Sequence, residues 1–252
     1  MAAQGPGHFY FPLNVAGVLI EDARDKEVPH PTIEDPVQQA WLQIPSAYFP
    51  SELPAPLPGQ PQVDLYHVAC QPYRGRTNNP SEKKPDVVVV LFDNILNAPG
   101  RRQFSRRDLL WIECKAPGST APNKWNSVLG EAVLRLQVFH PDRQVFLILA
   151  IGTEWLPFLW DPVTLPQVPL QMLQSNQRTG LTWTIDHRIR PFPANFYMIG
   201  NSHIDSQQSF TLNHWDLDAA NVPVNLAELQ LLEHVFAVIQ AFNYQGTTIQ
   251  NY

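Results

Sequence analysis

Two apolar segments, each with charged residues next to it in the sequence, constrain the fold of this chain more than any other feature. The first follows Asp86 and contains four consecutive valines, and the second, Leu-Leu-Trp-Ile, leads into Glu113, Cys114 and Lys115. β-branched and aromatic residues favour extended structure, so both segments are predicted strands. Residues two apart share a face of a strand, which places Glu113 and Lys115 together. Asn-Ala-Pro-Gly within the intervening residues 93–107 predicts a hairpin connection that brings Asp86 close to both.

These charged side chains suit the chemistry of a divalent cation acting on a phosphate. Asp86 and Glu113 supply carboxylate oxygens, the ligands that Mg²⁺ or Mn²⁺ prefers, and the backbone carbonyl of Cys114 is placed to add a third oxygen. A bound cation polarises a phosphodiester, and Lys115 can orient the attacking water or stabilise charge on the phosphate. The simpler alternative is a surface ion pair between Lys115 and one of the two acids.

The order of the predicted elements extends the pattern beyond these two strands. A Pro-Asp pair ending at Asp86, followed by Glu-Cys-Lys ending at Lys115, resembles the PD-(D/E)XK nuclease superfamily. The resemblance implies an α/β fold with a restriction-endonuclease-like αβββαβ core and a mixed central sheet, over about residues 30–163. The predicted elements occur in that order: a helix at 32–43 with Thr32 as its N-cap, a strand at 63–70, the two strands above, a helix at 123–140 and a strand at 144–151. The last strand is expected to be parallel to a neighbour, because a helix precedes it.

The resemblance also implies roles for individual residues and an activity. Asp86 and Glu113 match the metal-binding acids of the superfamily, and Lys115 matches its catalytic lysine. The implied activity is hydrolysis of phosphodiester bonds in nucleic acid with Mg²⁺ or Mn²⁺ as the cofactor. Most relatives with this combination of residues act on DNA.

Members of the superfamily often add two further side chains to the site. One is an acid from the first helix, for which Glu34 is the nearest candidate, although its place in the first turn also suits the helix dipole. The other is a Gln or Glu from the helix after the Glu-x-Lys strand, for which Glu131 and Gln137 are candidates. These two lie six residues apart on different helix faces, so at most one is expected at the site.

The distribution of charge is uneven. The formal net charge is −6 and the isoelectric point is about 5.7, unlike a general nucleic-acid binder. Residues 74–124 nevertheless hold ten Lys or Arg and five acids, a local charge of +5, so the rest of the chain carries −11. Such a basic surface can position a phosphate backbone, and the alternatives are a solvated hairpin tip or an acidic protein partner. The candidate phosphate contacts are Lys83, Lys84, Arg101, Arg102, Arg106, Arg107 and Lys124.

The C-terminal part is predicted to extend the same unit, so that residues 1–252 form a single domain with an elaboration at 164–252. Its last helix, 225–242, has apolar residues on more than one stripe, which predicts burial in the core or against a second copy in a homodimer. Cys70 and Cys114 are expected to be reduced thiols of an intracellular protein, in the cytoplasm or nucleus. Neither a secretory signal nor a membrane span is predicted. Short strands are predicted at 181–185, 195–199 and 210–215.

Two functional classes remain open from the sequence. One is a metal-dependent nuclease, which the intact group of two acids and a lysine favours. The other is a catalytically inactive nuclease-like module that binds protein or nucleic acid, which the acidic body of the chain favours. A zinc enzyme has less support, because the His-x-Asp pairs at His203 and His214 match no ligand spacing.

Overall fold

The protein is a mixed α/β fold built around an open, mostly antiparallel sheet. The structure is a computed structural model that describes residues 8–10, 14–27, 34–51, 65–70, 85–97, 101–117, 123–162, 188–192, 198–199, 202–203 and 209–241. Within these ranges the helices are α1 (Val15–Glu27), α2 (Asp35–Ser46), α3 (Asn123–Phe139) and α4 (Leu226–Ala241). The strands are β1 (Leu65–Cys70), β2 (Val87–Asn97), β3 (Arg101–Lys115), β4 (Val145–Ile151), β5 (Glu154–Trp160), β6 (Ile189–Pro191), β7 (Met198–Ile199), β8 (Ser202–His203) and β9 (Phe210–Thr211).

The sheet has the strand order β1-β2-β3-β4-β5-β6, and β9 also pairs with β5. β3 and β4 are parallel, whereas the other pairs of this sheet are antiparallel. A parallel pair needs a long crossover connection, and α3 provides it. The predicted helix at 123–140 and the predicted parallel strand at 144–151 are therefore confirmed. β7 and β8 form a separate two-stranded pair.

Helices on both faces of the sheet explain the run of valines in β2. Val87 and Val89 belong to the core cluster that contains α1, α2 and α4, whereas Val88 and Val90 belong to the cluster that contains α3. All four valines are at most 1% exposed. A strand covered on both sides is apolar at every position, which accounts for a continuous run where an alternating pattern would mark a half-buried strand.

A β-bulge in β3 changes which side chains share a face. Two successive residues of β2 pair with Leu110 and Asp108, which leaves Leu109 as an extra residue in β3. One inserted residue reverses the alternation of faces, because the side-chain period of a strand is two. Asp108 therefore lies on the same side as Trp111, whose indole Nε1 donates a hydrogen bond to Asp108 Oδ2 at 2.9 Å.

Helix α1 was not predicted, because its capping residue looked like an interruption. Asn14 and the preceding Pro12 break the apolar stretch 9–20 in the sequence. In the structure, the Asn14 side chain accepts a hydrogen bond from the backbone N–H of Ala16 at 3.0 Å, which is the role of an N-cap. Exposed valines in the first turn of the helix also obscured its apolar stripe.

The hairpin prediction was wrong about the length of the connection. Most of residues 93–107 are strand, because β2 continues to Asn97 and β3 begins at Arg101, and these two residues pair with each other. The helix predicted at 32–43 is α2, which begins at Asp35 with Glu34 as its N-cap residue. Thr32 and the predicted strand at 181–185 lie outside the described residues, as do residues 63 and 64. Of the predicted strand at 195–199 the structure describes residues 198 and 199, which form β7, and the predicted strand at 210–215 corresponds to the shorter β9.

The apolar side chains of α4 pack into the chain's own core. Leu229, Leu232, Val235, Phe236 and Ile239 are each at most 1% exposed and join the cluster with α1 and α2. Burial of the final helix is therefore confirmed, and its packing gives no support to a homodimer. Both cysteines are free thiols. Among the described helices, none has the length and apolar character that crossing a membrane requires.

Candidate active site

The antiparallel register of β2 and β3 brings the predicted acids together. Val87, the first residue of β2, pairs with Ile112, so Asp86 lies opposite Glu113. The Asp86 Oδ2 atom accepts a hydrogen bond from the backbone N–H of Cys114 at 2.7 Å. The carboxylate of Asp86 is thus fixed against the Glu-Cys-Lys segment that the sequence singled out.

Glu113 is fully buried and faces α3. Its Oε2 atom forms an ion pair with Nη1 of Arg135 in α3, whereas its Oε1 atom has no hydrogen-bond partner. Burial raises the pKa of Glu113 to about 8. The guanidinium of Arg135 opposes this rise, and the nearby Asp86 adds to it, because a second negative charge disfavours ionisation.

Asp86 is also buried, at 8% exposure. Burial raises its pKa above the usual value, although the hydrogen bond from Cys114 and the cations Lys115 and Arg135 act in the other direction. Two adjacent acids whose pKa values are both raised bind protons readily in the absence of another positive charge. This is the electrostatic condition under which a divalent cation can replace protons.

Lys115, the last residue of β3, forms an ion pair with a residue of helix α3. Its Nζ lies 3.5 Å from Oε2 of Glu131 in α3, so its ion-pair partner is neither of the two acids considered from the sequence. Burial acts to lower the pKa of Lys115, but Glu34, Asp86 and Glu131 more than offset this effect, and the pKa lies above its ordinary value. The ammonium group therefore stays protonated at neutral pH.

The turn between β4 and β5 fixes the backbone of Lys115. The N–H of Gly152 donates a hydrogen bond to the carbonyl of Lys115 at 3.0 Å. Gly152 has a φ of 58°, a left-handed conformation that glycine adopts without steric cost. A side chain at this position would strain the turn and so disturb the end of β3.

Glu34 approaches the site from the start of α2. Its side chain makes no capping hydrogen bond, contrary to the role that its first-turn position suggested, and its Oε1 accepts a hydrogen bond from Gln38 Nε2 at 3.3 Å. Burial raises the pKa of Glu34, Lys115 lowers it, and Asp86 raises it further. Glu34 is therefore close enough to Asp86 and Lys115 for their charges to interact.

Helix α3 contributes two side chains to the site: Glu131, which was a candidate from the sequence, and Arg135, which was not. Arg135 lies one turn after Glu131, with its Nη2 atom 3.9 Å from Glu131 Oε2. The sequence signal was the Glu-to-Arg spacing of four residues, which places opposite charges on one helix face. Gln137 lies on another face of α3, six residues from Glu131.

The structure describes the side chains of two of the seven candidate phosphate contacts, Arg106 and Arg107. Arg106 is exposed, and its guanidinium carbon lies 5.5 Å from the centre of the Phe92 ring. Arg107 points to the opposite face of β3, because neighbouring residues of a strand alternate. From Glu113 to Arg106 is about 20 Å along the strand. Outside the described residues and side chains lie Lys83, Lys84, Arg101, Arg102 and Lys124.

The oxygen atoms at the site fit a hard cation. In the described ranges, no three side chains of His, Cys, Asp or Glu are grouped as a metal site. Mg²⁺, however, is commonly bound through one or two carboxylates and several waters. Asp86 and Glu113 supply two carboxylates, and Oε1 of Glu113 is buried without a partner. The Cys114 carbonyl lies on the same side of β3 as its N–H, which already contacts Asp86.

The raised pKa of Glu113 predicts that the metal-free protein loses stability as the pH rises. The folded state keeps the Glu113 proton to about pH 8, whereas the unfolded chain releases it near pH 4.5, so the folded state binds more protons between these values. The free energy of unfolding is expected to fall by about 3 kcal/mol from about pH 5 to about pH 8. Glu113→Gln should remove most of this slope in urea unfolding with a chelator present. An unchanged slope would contradict the buried, protonated carboxyl.

The chain matches no protein-family model, no curated protein and no solved structure. Its function must therefore be inferred from the geometry and chemistry of its own residues.

Proposed function

We propose that the chain is a metal-dependent nuclease of the PD-(D/E)XK type that hydrolyses phosphodiester bonds, with DNA as its principal substrate. The observation that carries the proposal is the convergence of Asp86, Glu113 and Lys115 at one end of β2 and β3. The order α2, β1, β2, β3, α3, β4 and the parallel pairing of β3 with β4 support it, because they agree with an αβββαβ core.

Each residue of the site has a distinct role in this proposal. Asp86 and Glu113 would hold the cation together with the carbonyl of Cys114, and a bound cation would supply electrostatic stabilisation of the phosphate. Lys115 acts as a cation rather than as a base, because its raised pKa keeps it protonated. It donates a hydrogen bond to the attacking water or to a phosphate oxygen, and Glu131 restrains its position.

A cleavage assay on the purified full chain tests the proposal. Plasmid and linear DNA are incubated with Mg²⁺ or Mn²⁺, or with a chelator, beside the variants Lys115→Ala and Arg24→Ala. Lys115→Ala is expected to lower the cleavage rate by about 100-fold, the typical loss when one group that stabilises transition-state charge is removed. Arg24 lies in α1, pairs with Asp25 and serves as the control for loss of one positive charge. Equal cleavage by wild type and Lys115→Ala would rule out the site.

The second candidate function is a nuclease-like binding module, and the Arg135–Glu113 ion pair favours it. Here Arg135 permanently supplies the positive charge that a metal supplies in the first proposal. A ligand that binds only the folded state raises the melting temperature. Absence of cleavage, together with no rise in melting temperature at millimolar Mg²⁺ or Mn²⁺, would favour this second function over the first.

A further inference from the structure

The two oxygens of the buried Glu113 carboxylate have different surroundings. Oε2 contacts the guanidinium of Arg135, and Oε1 has no hydrogen-bond partner. The Arg135 side chain is 16% exposed and the Glu113 side chain is 0% exposed, so water screens their charges weakly. A cation that reached Oε1 would lie on the same carboxylate as the guanidinium and would be repelled by it.

Arg135 has a second carboxylate within reach. Its Nη2 atom lies 3.9 Å from Oε2 of Glu131, which is at the edge of ion-pair distance. Glu131 is exposed and also contacts Lys115 at 3.5 Å. A small rotation of the guanidinium away from Glu113 would therefore exchange one anionic partner for another, and a cation bound to Glu113 would keep that buried carboxylate paired.

We propose that Arg135 is a built-in competitor of the divalent cation, which holds Glu113 in place in the metal-free protein and transfers to Glu131 when the cation binds. The inference rests on the proposed function, because it assumes that Asp86 and Glu113 are the metal ligands. It makes Arg135 a positioning residue that acts through Glu113. The affinity for the metal ion then depends on how easily the ion displaces the Arg135 guanidinium from Glu113.

The exchange has a consequence for the metal-free state. Without Arg135, Asp86 and Glu113 would be two neighbouring acids, and the cation left near them would be Lys115, which pairs with Glu131 of α3. With Arg135, the carboxylate keeps its orientation before the metal arrives, so binding requires little rearrangement of the ligands. The cost is a weaker affinity than the same acids would have alone, because the cation must displace a charge that is already present.

Calorimetric titration with Mg²⁺ alone, without nucleic acid and at one fixed pH for all proteins, tests the inference. Arg135→Gln removes the competing charge and is expected to bind Mg²⁺ at least about tenfold more tightly than wild type. Arg135→Lys keeps the charge and is expected to stay within about threefold of wild type. Arg24→Gln, on the other face of the sheet, controls for the change in net charge and is expected to have no effect.

The outcomes separate this inference from the proposed function. If wild type binds Mg²⁺ and Arg135→Gln binds it equally or less tightly, Arg135 does not compete and the inference is overturned, while the metal site stands. If neither wild type nor the variants bind Mg²⁺, the proposed metal site itself is wrong.

Nuclear magnetic resonance of the wild-type protein gives a second measurement in case Arg135→Gln fails to fold. The Nε–H signal of Arg135, identified by its loss in Arg135→Lys, is expected to shift when Mg²⁺ is added, because the guanidinium changes its carboxylate partner. A signal that does not move while Mg²⁺ binds would overturn the transfer to Glu131.

Discussion

Replacing Arg135 with leucine is expected to lower the free energy of unfolding by about 2–3 kcal/mol at about pH 9, because Glu113 loses its ion-pair partner and must take up a proton to remain buried. The pKa of Glu113 is about 8, so the carboxylate of the wild-type protein is ionised and paired at this pH. At about pH 6 the carboxyl group holds its proton. The loss should then fall to about 1–2 kcal/mol, the cost of one missing buried hydrogen bond.

Urea unfolding at the two pH values measures this difference. The matched control is the same substitution in a Glu113→Gln background, where no carboxylate can ionise and the effect of Arg135→Leu should lose its pH dependence. A loss that is equally large at both pH values would mean that Arg135 stabilises the protein through packing and not through this ion pair. A pH dependence that persists in the Glu113→Gln background would assign it to another titrating group.

The second large effect is expected at the other end of α3, where Asp108 accepts two buried hydrogen bonds. They come from Nε1 of Trp111 at 2.9 Å and from Nε2 of His140 at 3.2 Å. The Nε of Arg143 donates to Nδ1 of His140 at 2.8 Å, so the hydrogen-bond pattern places the imidazole proton on Nε2, facing Asp108. Asp108→Ala removes the acceptor that both donors share and should lower the free energy of unfolding by about 3–5 kcal/mol.

Asp108→Asn is the matched variant, because it keeps the volume and one acceptor oxygen. We expect it to cost about half as much as Asp108→Ala, since one of the two donors keeps a partner. Chemical unfolding followed by circular dichroism measures both values. A cost below about 1 kcal/mol for Asp108→Ala would show that water or rearranged side chains replace the carboxylate.

The arrangement of the strands could be predicted because it depends on short-range rules. Period-two alternation places Glu113 and Lys115 on one face, and folding the chain back from its hairpin places Asp86 beside them. The helix between β3 and β4 determines that they are parallel. None of these inferences requires knowledge of which side chains pack against one another.

The partners of these residues could not be predicted, because they come from packing between distant elements. Which residue of α3 faces Glu113 depends on the rotation of the helix over the sheet, and this is why Arg135 was missed. The apolar periodicity of α3 orients the helix toward the core but does not select one polar residue at its margin. Likewise, no short sequence pattern marks Leu109 as the extra residue of a bulge.

The extra residue at Leu109 determines which side chains at the two ends of β3 lie on the same side of the sheet. Before Leu109 the even-numbered residues of β3 face α3, and after Leu109 the odd-numbered residues do. Arg106 and Glu113 therefore lie on one side of the sheet although their numbers differ by seven. Deleting this single residue would restore strict parity. Arg106 would then face the side of the sheet away from the acids, and Arg107 would face their side.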